Sequence, residues 1–175
     1  EMKILVFGEI GQVGQELARR CGDVELEVRG LEEADFTDPA ACVGFVEATD
    51  ADAVINAVAY TAVDKAEEDE ALAEMINATT AGALARAAAA RGLPFVQVST
   101  DYVFDGSGDQ PFAVDAPVGP LGAYGRTKLN GEIAVRAAGG VHAILRTSWV
   151  VSAHGHNFIK TMLKLGRERD RLTIV

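Results

Sequence analysis

The chain has 175 residues, of which 49% are hydrophobic, and its formal net charge is −10. This length and composition predict one domain with a real core and exclude a disordered chain. The acidic surface argues against nucleic-acid binding, and no apolar run is long enough to span a membrane. The two cysteines, Cys21 and Cys42, make neither a disulfide framework nor a zinc site, and the N-terminal apolar run is too short for a signal peptide. We therefore expect a reduced, cytoplasmic setting.

Apolar runs and helical patterns alternate along the chain. Strands are predicted at 4–7, 24–28, 53–58, 95–99, 142–149 and 172–175. Helices are predicted at 12–20, 39–48, 70–91, 124–138 and 157–168. Such alternation predicts an α/β fold, a doubly wound, Rossmann-like parallel sheet with helices on both faces. The one long irregular segment, 105–122, is rich in Gly and Pro, and long loops in compact domains are usually functional.

Three glycines follow the first predicted strand and open the first predicted helix. Gly8, Gly11 and Gly14 have the spacing G-x-x-G-x-x-G, with Gln12 and Val13 between the last two. Glycines permit a tight turn and let the backbone approach a pyrophosphate at a helix N-terminus. A plain strand-to-helix turn is the alternative, but the position within a βαβ unit favours a dinucleotide site.

Tyr124 and Lys128 are four residues apart in the predicted helix 124–138, so they lie on one helix face. An ammonium group beside a phenol would lower the pKa of the phenol, which could then give a proton to a reacting oxygen. The alternative for this pair alone is a solvated helix face.

Six segments together resemble the dTDP-4-dehydrorhamnose reductases, which are short-chain dehydrogenases of the extended type. The segments, in the family's order, are 8–14, 59–67, 99–106, 124–132, 146–150 and 157–166. The resemblance implies reduction of the C4 ketone of dTDP-4-dehydro-L-rhamnose with a nicotinamide cofactor, which forms dTDP-L-rhamnose. Family members are longer. We therefore expect residues 1–175 to form the cofactor-binding Rossmann domain without much of the sugar-nucleotide part, and to show little turnover alone.

The resemblance also implies roles for particular residues. Tyr124 would supply the proton, Lys128 would lower the pKa of Tyr124 and bind the nicotinamide ribose, and Thr100 would orient the ketone. Asp101 and Trp149 would contact the sugar nucleotide. The alternatives are a strand-end cap for Thr100, a turn residue for Asp101 and a core position for Trp149.

The cofactor site implied by the resemblance extends beyond the glycines. Asp35 and Phe36 match the pair that flanks the adenine, and the stretch Ala59, Tyr60 and Thr61 would line the nicotinamide side. Arg29 closes the second predicted strand, where an Arg accommodates a 2′-phosphate. This favours NADPH, with NADH as the alternative cofactor and a solvated side chain as the alternative for Arg29.

A metal site is less strongly indicated by the sequence. Some relatives bind magnesium at a dimer contact through a Glu of the first helix, and Glu16 matches that position. An exposed helical Glu is the better interpretation, so Mg²⁺ and a homodimer both stay open. The three histidines, His142, His154 and His156, form no ligand cluster, and the last two are expected to be solvated.

Two other functional classes share the predicted fold. One is a non-catalytic, NADP-binding regulatory protein that resembles the regulatory subunit of methionine adenosyltransferase. The other is an epimerase or dehydratase of the same superfamily. Dehydratases tend to carry an Asp-Glu pair after the Thr, whereas here Asp101 is followed by Tyr102. The intact set of Thr100, Tyr124 and Lys128 favours the reductase. Val151 departs from the family, which often has Tyr there.

Overall fold

Five parallel strands form the centre of the computed structural model, which describes residues 2–173. The strands pair in the order β2-β1-β3-β4-β5. Their bounds are β1 Lys3–Phe7, β2 Glu25–Arg29, β3 Ala53–Asn56, β4 Phe95–Thr100 and β5 His142–Thr147. The predicted parallel α/β architecture is confirmed.

The helices follow the strands along the chain. They are α1 Gln12–Arg20, α2 Pro39–Ala48, α3 Glu70–Glu74, α4 Ala81–Ala90, α5 Ala123–Ala137 and α6 Phe158–Glu168. Two of the starts have clear local causes. At α2, Pro39 occupies the first turn and the side chain of Asp38 accepts from the backbone N–H of Ala41. At α6, the side chain of Asn157 accepts from the backbone N–H of Lys160 in the same way.

The strand order determines which face of the sheet each helix covers. From β1 the chain crosses to β2 on one side, and from β2 it returns past β1 to β3 on the other. Because parallel crossovers are right-handed, α1 lies on the face opposite α2. On the α2 face, α4 contacts both α2 and α5. The connections therefore diverge between β1 and β3, and a ligand crevice is expected at the carboxyl ends of these two strands.

The single helix predicted at 70–91 is interrupted. A π-helix, Met75–Thr80, joins α3 to α4. It contains Asn77, which is buried and bonds on both sides: its Oδ1 accepts from the backbone N–H of Tyr60 at 2.8 Å, and its Nδ2 donates to Thr127 Oγ1 at 3.0 Å. An Ala- and Leu-rich pattern predicts a helix well, but it carries no sign of a wider turn that is set by tertiary bonds.

Several predicted strand ends also differ from the structure. β3 ends at Asn56 rather than at residue 58, and β5 ends at Thr147 rather than at Trp149. β4 includes Thr100, which was predicted to lie just past it. Of the strand predicted at 172–175, residues 172 and 173 are not in a strand, and residues 174 and 175 lie outside the described residues.

The main core lies between the sheet and the α2–α4–α5 layer. Phe7 of β1 and Phe36 pack edge to face there, with ring centroids 5.8 Å apart. The other buried side chains of this cluster are Leu5, Ala34, Cys42, Val46, Ala51, Val54, Leu84, Ala85, Ala88, Phe95 and Val135. Among residues 2–173, no helix has both the length and the apolar character needed to cross a membrane.

Candidate active site

A cleft of about 650 Å³ lies along the carboxyl ends of the strands. It brings together the glycine-rich turn, the residues after β3, the end of β4, the start of α5 and the segment after β5. Its lining includes Gly11, Gln12, Val13, Ala59, Thr61, Thr100, Asp101, Tyr124, Lys128, Ser148, Trp149 and His156. Most of the residues that were predicted to be catalytic, or to line the nicotinamide side of the cofactor site, therefore line one cavity.

The glycine-rich turn has the geometry that its sequence predicts. Gly8 has a φ of +115°, a conformation that other residues rarely adopt. A Cβ built on Gly14 would lie 1.7 Å from the carbonyl oxygen of Gly8, so α1 can approach β1 this closely only with glycine there. At Gly11, the N-cap of α1, a Cβ would meet nothing within 4 Å. The helix N-terminus thus faces open space in the cleft, as a pyrophosphate site requires.

Tyr124 lies in the first turn of α5 and is half-buried, with its ring against that of Tyr102 at 5.4 Å between centroids. Burial raises the pKa of Tyr124, and the neighbouring hydroxyl of Thr100 offsets this only in part. The predicted lowering of this pKa by Lys128 is therefore wrong for this structure. A phenol with a raised pKa is protonated at neutral pH and so carries a proton to donate.

Lys128 lies one turn further along α5 and is only 3% exposed. Its Nζ donates to the carbonyl oxygen of Val98 at 2.7 Å. Burial lowers the pKa of Lys128 to about 8, although the carboxylate of Glu132 opposes this shift. The ammonium group lines the cleft and is held by a single carbonyl among the described residues.

Thr100, the last residue of β4, is buried and performs the local capping that was its alternative role. Its Oγ1 accepts from the backbone N–H of Tyr102 at 3.2 Å and donates to Asp101 Oδ1 at 3.1 Å. The other carboxylate oxygen of Asp101 accepts from Ser148 Oγ at 2.6 Å. Ser148 was not predicted as a site residue, although it lies in the segment 146–150 that resembles the reductases. This chain of bonds links the ends of β4 and β5 at the floor of the cleft.

A buried ionic cluster behind the cleft was also missed. Glu132 has no exposed surface and follows Tyr124 and Lys128 along the same stripe of α5. Its carboxylate accepts from Arg146 Nε at 2.8 Å and from the terminal nitrogens of Arg146 at 2.7 Å and Arg136 at 2.9 Å. Ser99 Oγ donates to it at 2.7 Å. Burial raises the pKa of Glu132, but these bonds outweigh burial and the pKa is lowered overall.

Trp149 is 69% exposed at the rim of the cleft, so the alternative of a core position is wrong. Its φ of 50° turns the chain away from β5, and its ring packs on Phe158 with centroids 4.6 Å apart. Gln12 holds this segment from α1, because its Nε2 donates to the carbonyl oxygen of Val150 at 3.1 Å and its Oε1 accepts from Asn157 at 3.1 Å. The helix of the glycine-rich turn is thus bonded directly to the Trp149 segment.

Other residues predicted for the cofactor lie outside the lining of the cleft. Phe36 is in the core, so its ring does not face a ligand. Asp35 is exposed, and its carboxylate accepts from Thr37. Tyr60 also points away, since its hydroxyl donates to Asp69 Oδ2 at 3.1 Å. For the cleft wall, Ala59 and Thr61 are therefore the relevant members of the predicted stretch.

Glu16, the magnesium candidate, is already bonded on several sides. Its carboxylate accepts from the hydroxyl of Ser152, from Arg20 at 3.0 Å and from Arg19 at 3.2 Å. The bond from Ser152, followed by that from Arg20, lowers the pKa of Glu16 to about 2. Within residues 2–173, no group of three or more His, Cys, Asp and Glu residues could hold a metal ion. A role for Glu16 at a magnesium site stays a prediction.

The lowered pKa of Lys128 predicts an unusual dependence of stability on pH. Because its pKa in the folded chain, about 8, lies below the ordinary 10.5, the unfolded chain binds the extra proton between these values. The contribution of Lys128 to stability therefore rises with pH across that window, by about 3 kcal/mol in all. Urea unfolding measures the free energy of unfolding of wild type and of Lys128→Met. Between about pH 7.5 and about pH 9.5, this free energy should increase by about 2 kcal/mol more in wild type than in the variant. Equal gains would contradict the prediction, and Lys160→Met controls for the loss of an exposed charge.

Comparison with known proteins gives a consistent result. The family described as RmlD substrate binding domain matches residues 2–175. A protein of Burkholderia thailandensis named dTDP-4-dehydrorhamnose reductase is 46% identical over 99% of the chain, which covers 59% of that protein. One of the same name from Salmonella typhimurium is 45% identical over 99% of the chain, which covers 60% of that protein. The chain thus spans about 60% of the length of these curated relatives.

Solved structures agree with these sequence relatives. A dTDP-4-dehydrorhamnose reductase of Clostridium acetobutylicum superposes with a TM-score of 0.92 at 42% identity, over 98% of this chain and 61% of that one. A reductase of the same name from Bacillus anthracis, solved in complex with NADP, superposes with a TM-score of 0.91 at 32% identity, over 97% of this chain and 61% of that one.

Proposed function

Because the chain belongs to the RmlD substrate binding domain family, we propose that it is the cofactor-binding part of an enzyme that reduces the C4 ketone of dTDP-4-dehydro-L-rhamnose. The observation that carries the proposal is the shared cleft, in which Thr100, Tyr124 and Lys128 lie beside the open N-terminus of α1. The chain covers about 60% of the length of its curated relatives, and we propose that the rest of that length supplies a second part of the sugar-nucleotide site.

The proposed reaction adds a hydride to the carbonyl carbon and a proton to the carbonyl oxygen. The reduced nicotinamide supplies the hydride when it is bound. Tyr124 donates the proton, which a tyrosine phenol holds at neutral pH. Lys128 brings a positive charge into the cleft, where its ammonium group would donate to the ribose hydroxyls of the cofactor. Thr100 and Asp101 offer a hydroxyl and a carboxylate to the sugar.

Residues 11–13 would hold the pyrophosphate of a nicotinamide dinucleotide, which would supply the hydride. The fit rests on the cradle itself, in which a Cβ is excluded at Gly14 and free space lies in front of Gly11. The Bacillus anthracis relative was solved with NADP, which supports NADPH as one donor. NADH is the second, and the discrimination between the two depends on residues at the end of β2.

We place this enzyme in the cytoplasm, with a nucleotide sugar as its small-molecule partner. Two reduced cysteines, Cys21 and Cys42, and the acidic surface support this placement. A homodimer and a bound Mg²⁺ at Glu16 are further proposals that the resemblance supports, and light scattering with and without Mg²⁺ tests both.

The full-length protein is expected to oxidise NADPH when dTDP-4-dehydro-L-rhamnose is added. The reaction is measured as a decrease in the absorbance of the reduced nicotinamide. Gly11→Val should abolish the oxidation of NADPH, because the valine side chain would occupy the space of the pyrophosphate. The same side chain would contact nothing in the unliganded fold, so the fold should be preserved. Gly44→Val is the matched control, since Gly44 of α2 also faces open space and lies outside the cleft. Turnover by Gly11→Val at the wild-type rate, with unchanged cofactor affinity, would contradict the site.

A further inference from the structure

The end of β2 carries more negative than positive charge. The side chain of Glu9, from the glycine-rich turn, lies over Gly30: a Cβ built on Gly30 would be 2.4 Å from Glu9 Oε2. Glu33 approaches the same residue, because its Oε2 accepts from the backbone N–H of Gly30 at 3.4 Å. Gly8 N donates to the carbonyl oxygen of Arg29 at 3.0 Å, which fixes the turn against the strand end. We name Glu9, Arg29, Gly30 and Glu33 the ribose rim.

The single positive charge of the ribose rim is already engaged. The guanidinium of Arg29 donates to Glu27 Oε1 at 2.6 Å and lies 3.8 Å from Glu33 Oε1. It also lies over the ring of Phe45, 5.0 Å from the centroid. A 2′-phosphate would therefore compete with Glu27 and Glu33 for the guanidinium of Arg29.

Glu9 differs from Arg29 in being free to meet a ligand. Its side chain is exposed, and no hydrogen bond or ion pair to it is found among residues 2–173. An acidic side chain at the end of the second strand of a dinucleotide-binding fold accepts a hydrogen bond from the ribose 2′-hydroxyl. The same carboxylate repels a 2′-phosphate, which carries close to two negative charges.

We propose that Glu9 reads the ribose 2′ position and makes this protein bind NADH more tightly than NADPH. Glu9 acts from the glycine-rich turn, across the side-chain-free surface of Gly30, rather than from the strand itself. The proposal rests on the proposed dinucleotide site and reverses the preference that Arg29 alone predicts from the sequence. It concerns relative affinity, so NADPH can still bind and serve as a donor.

The test is a titration of the full-length protein with NADH and with NADPH, followed by nicotinamide fluorescence. Wild type should bind NADH more tightly. Glu9→Gln should raise the affinity for NADPH about tenfold and change the affinity for NADH much less. The carboxylate that the substitution removes repels only the 2′-phosphate, which NADH lacks. Glu47→Gln, an exposed carboxylate of α2, is the matched control for the same change in net charge and should leave both affinities unchanged.

A second arm uses salt. Added salt should reduce the difference between the affinities of wild type for NADH and NADPH, because it screens the repulsion between Glu9 and the 2′-phosphate. It should have less effect on this difference in Glu9→Gln. If wild type binds NADPH more tightly than NADH, and Glu9→Gln does not change this preference, the inference about Glu9 is overturned. The proposed dinucleotide site would still stand. Binding of neither cofactor overturns the proposed function, and the inference with it.

Discussion

Replacement of Tyr124 by Phe in the full-length protein is expected to slow reduction of the ketone by about 10²–10⁴-fold. Phe keeps the ring that packs on Tyr102 but removes the hydroxyl that would give its proton to the carbonyl oxygen. Because the pyrophosphate cradle lies at the other side of the cleft, the affinity for the dinucleotide should be nearly unchanged.

The measurement is single-turnover oxidation of the reduced cofactor at saturating sugar nucleotide, with cofactor affinity determined separately. Tyr102→Phe is the matched control, because Tyr102 is a neighbouring cleft tyrosine that is 52% exposed and is not assigned the proton. A Tyr124→Phe protein that reduces the ketone at nearly the wild-type rate would remove Tyr124 as the acid. The non-catalytic dinucleotide-binding reading of the fold would then gain support.

Replacement of Glu132 by Gln is expected to lower the free energy of unfolding by about 3–5 kcal/mol. The change removes the charge that two arginines share. Arg146 is most affected, since its side chain is only 17% exposed and both of its bonds to Glu132 are charge-assisted. Gln offers one acceptor oxygen in place of two, so Arg146 loses its counter-charge and at least one of its bonds to residue 132.

Urea unfolding of the two proteins measures this loss, and Arg136→Ala serves as the control within the same cluster. The side chain of Arg136 is 48% exposed, so its removal should cost no more than about 1 kcal/mol. The double variant Glu132→Gln/Arg146→Met should be more stable than Glu132→Gln alone, because it no longer buries an unpaired charge. A loss below about 1 kcal/mol for Glu132→Gln would show that the cluster is not a major source of stability.

The backbone architecture could be predicted from local patterns. Helices α1 and α2 begin and end at the residues that the sequence predicts, and all five described strands were found within one to two residues at most ends. Glycine chemistry at Gly8 and Gly14, and Pro39 after Asp38, act over a few residues and so are visible in sequence. Thr100, Tyr124 and Lys128 line the same cleft, and their association was implied by the resemblance to the reductases.

The environment of the side chains could not be predicted in the same way. Lys128 lies on the same helix face as Tyr124, yet its ammonium group turns to the carbonyl of Val98, 30 residues away in sequence. Arg29 was expected to be open to a ligand, but Glu27 and Phe45 hold it. Val98 and Phe45 come from other elements of the fold, and a pattern of residue types along one element contains no information about them. Glu27 lies on β2 with Arg29, two residues before it, but the sequence does not show that the two side chains pair.

The central place of β1 in the sheet has a consequence for the order in which the protein assembles during synthesis. Its first strand is flanked by β2 and by β3, and β3 begins only at Ala53. At roughly 5–20 residues per second, the nascent β1 waits several seconds before both edges can be covered. The turn after it is fixed from both sides, by Gly8 N bonding to Arg29 O and Ala57 N to Phe7 O. The strands that hold the glycine-rich turn are therefore synthesised before the catalytic side chains of β4 and α5, whereas the bonds from Gln12 to the 150–157 segment form last.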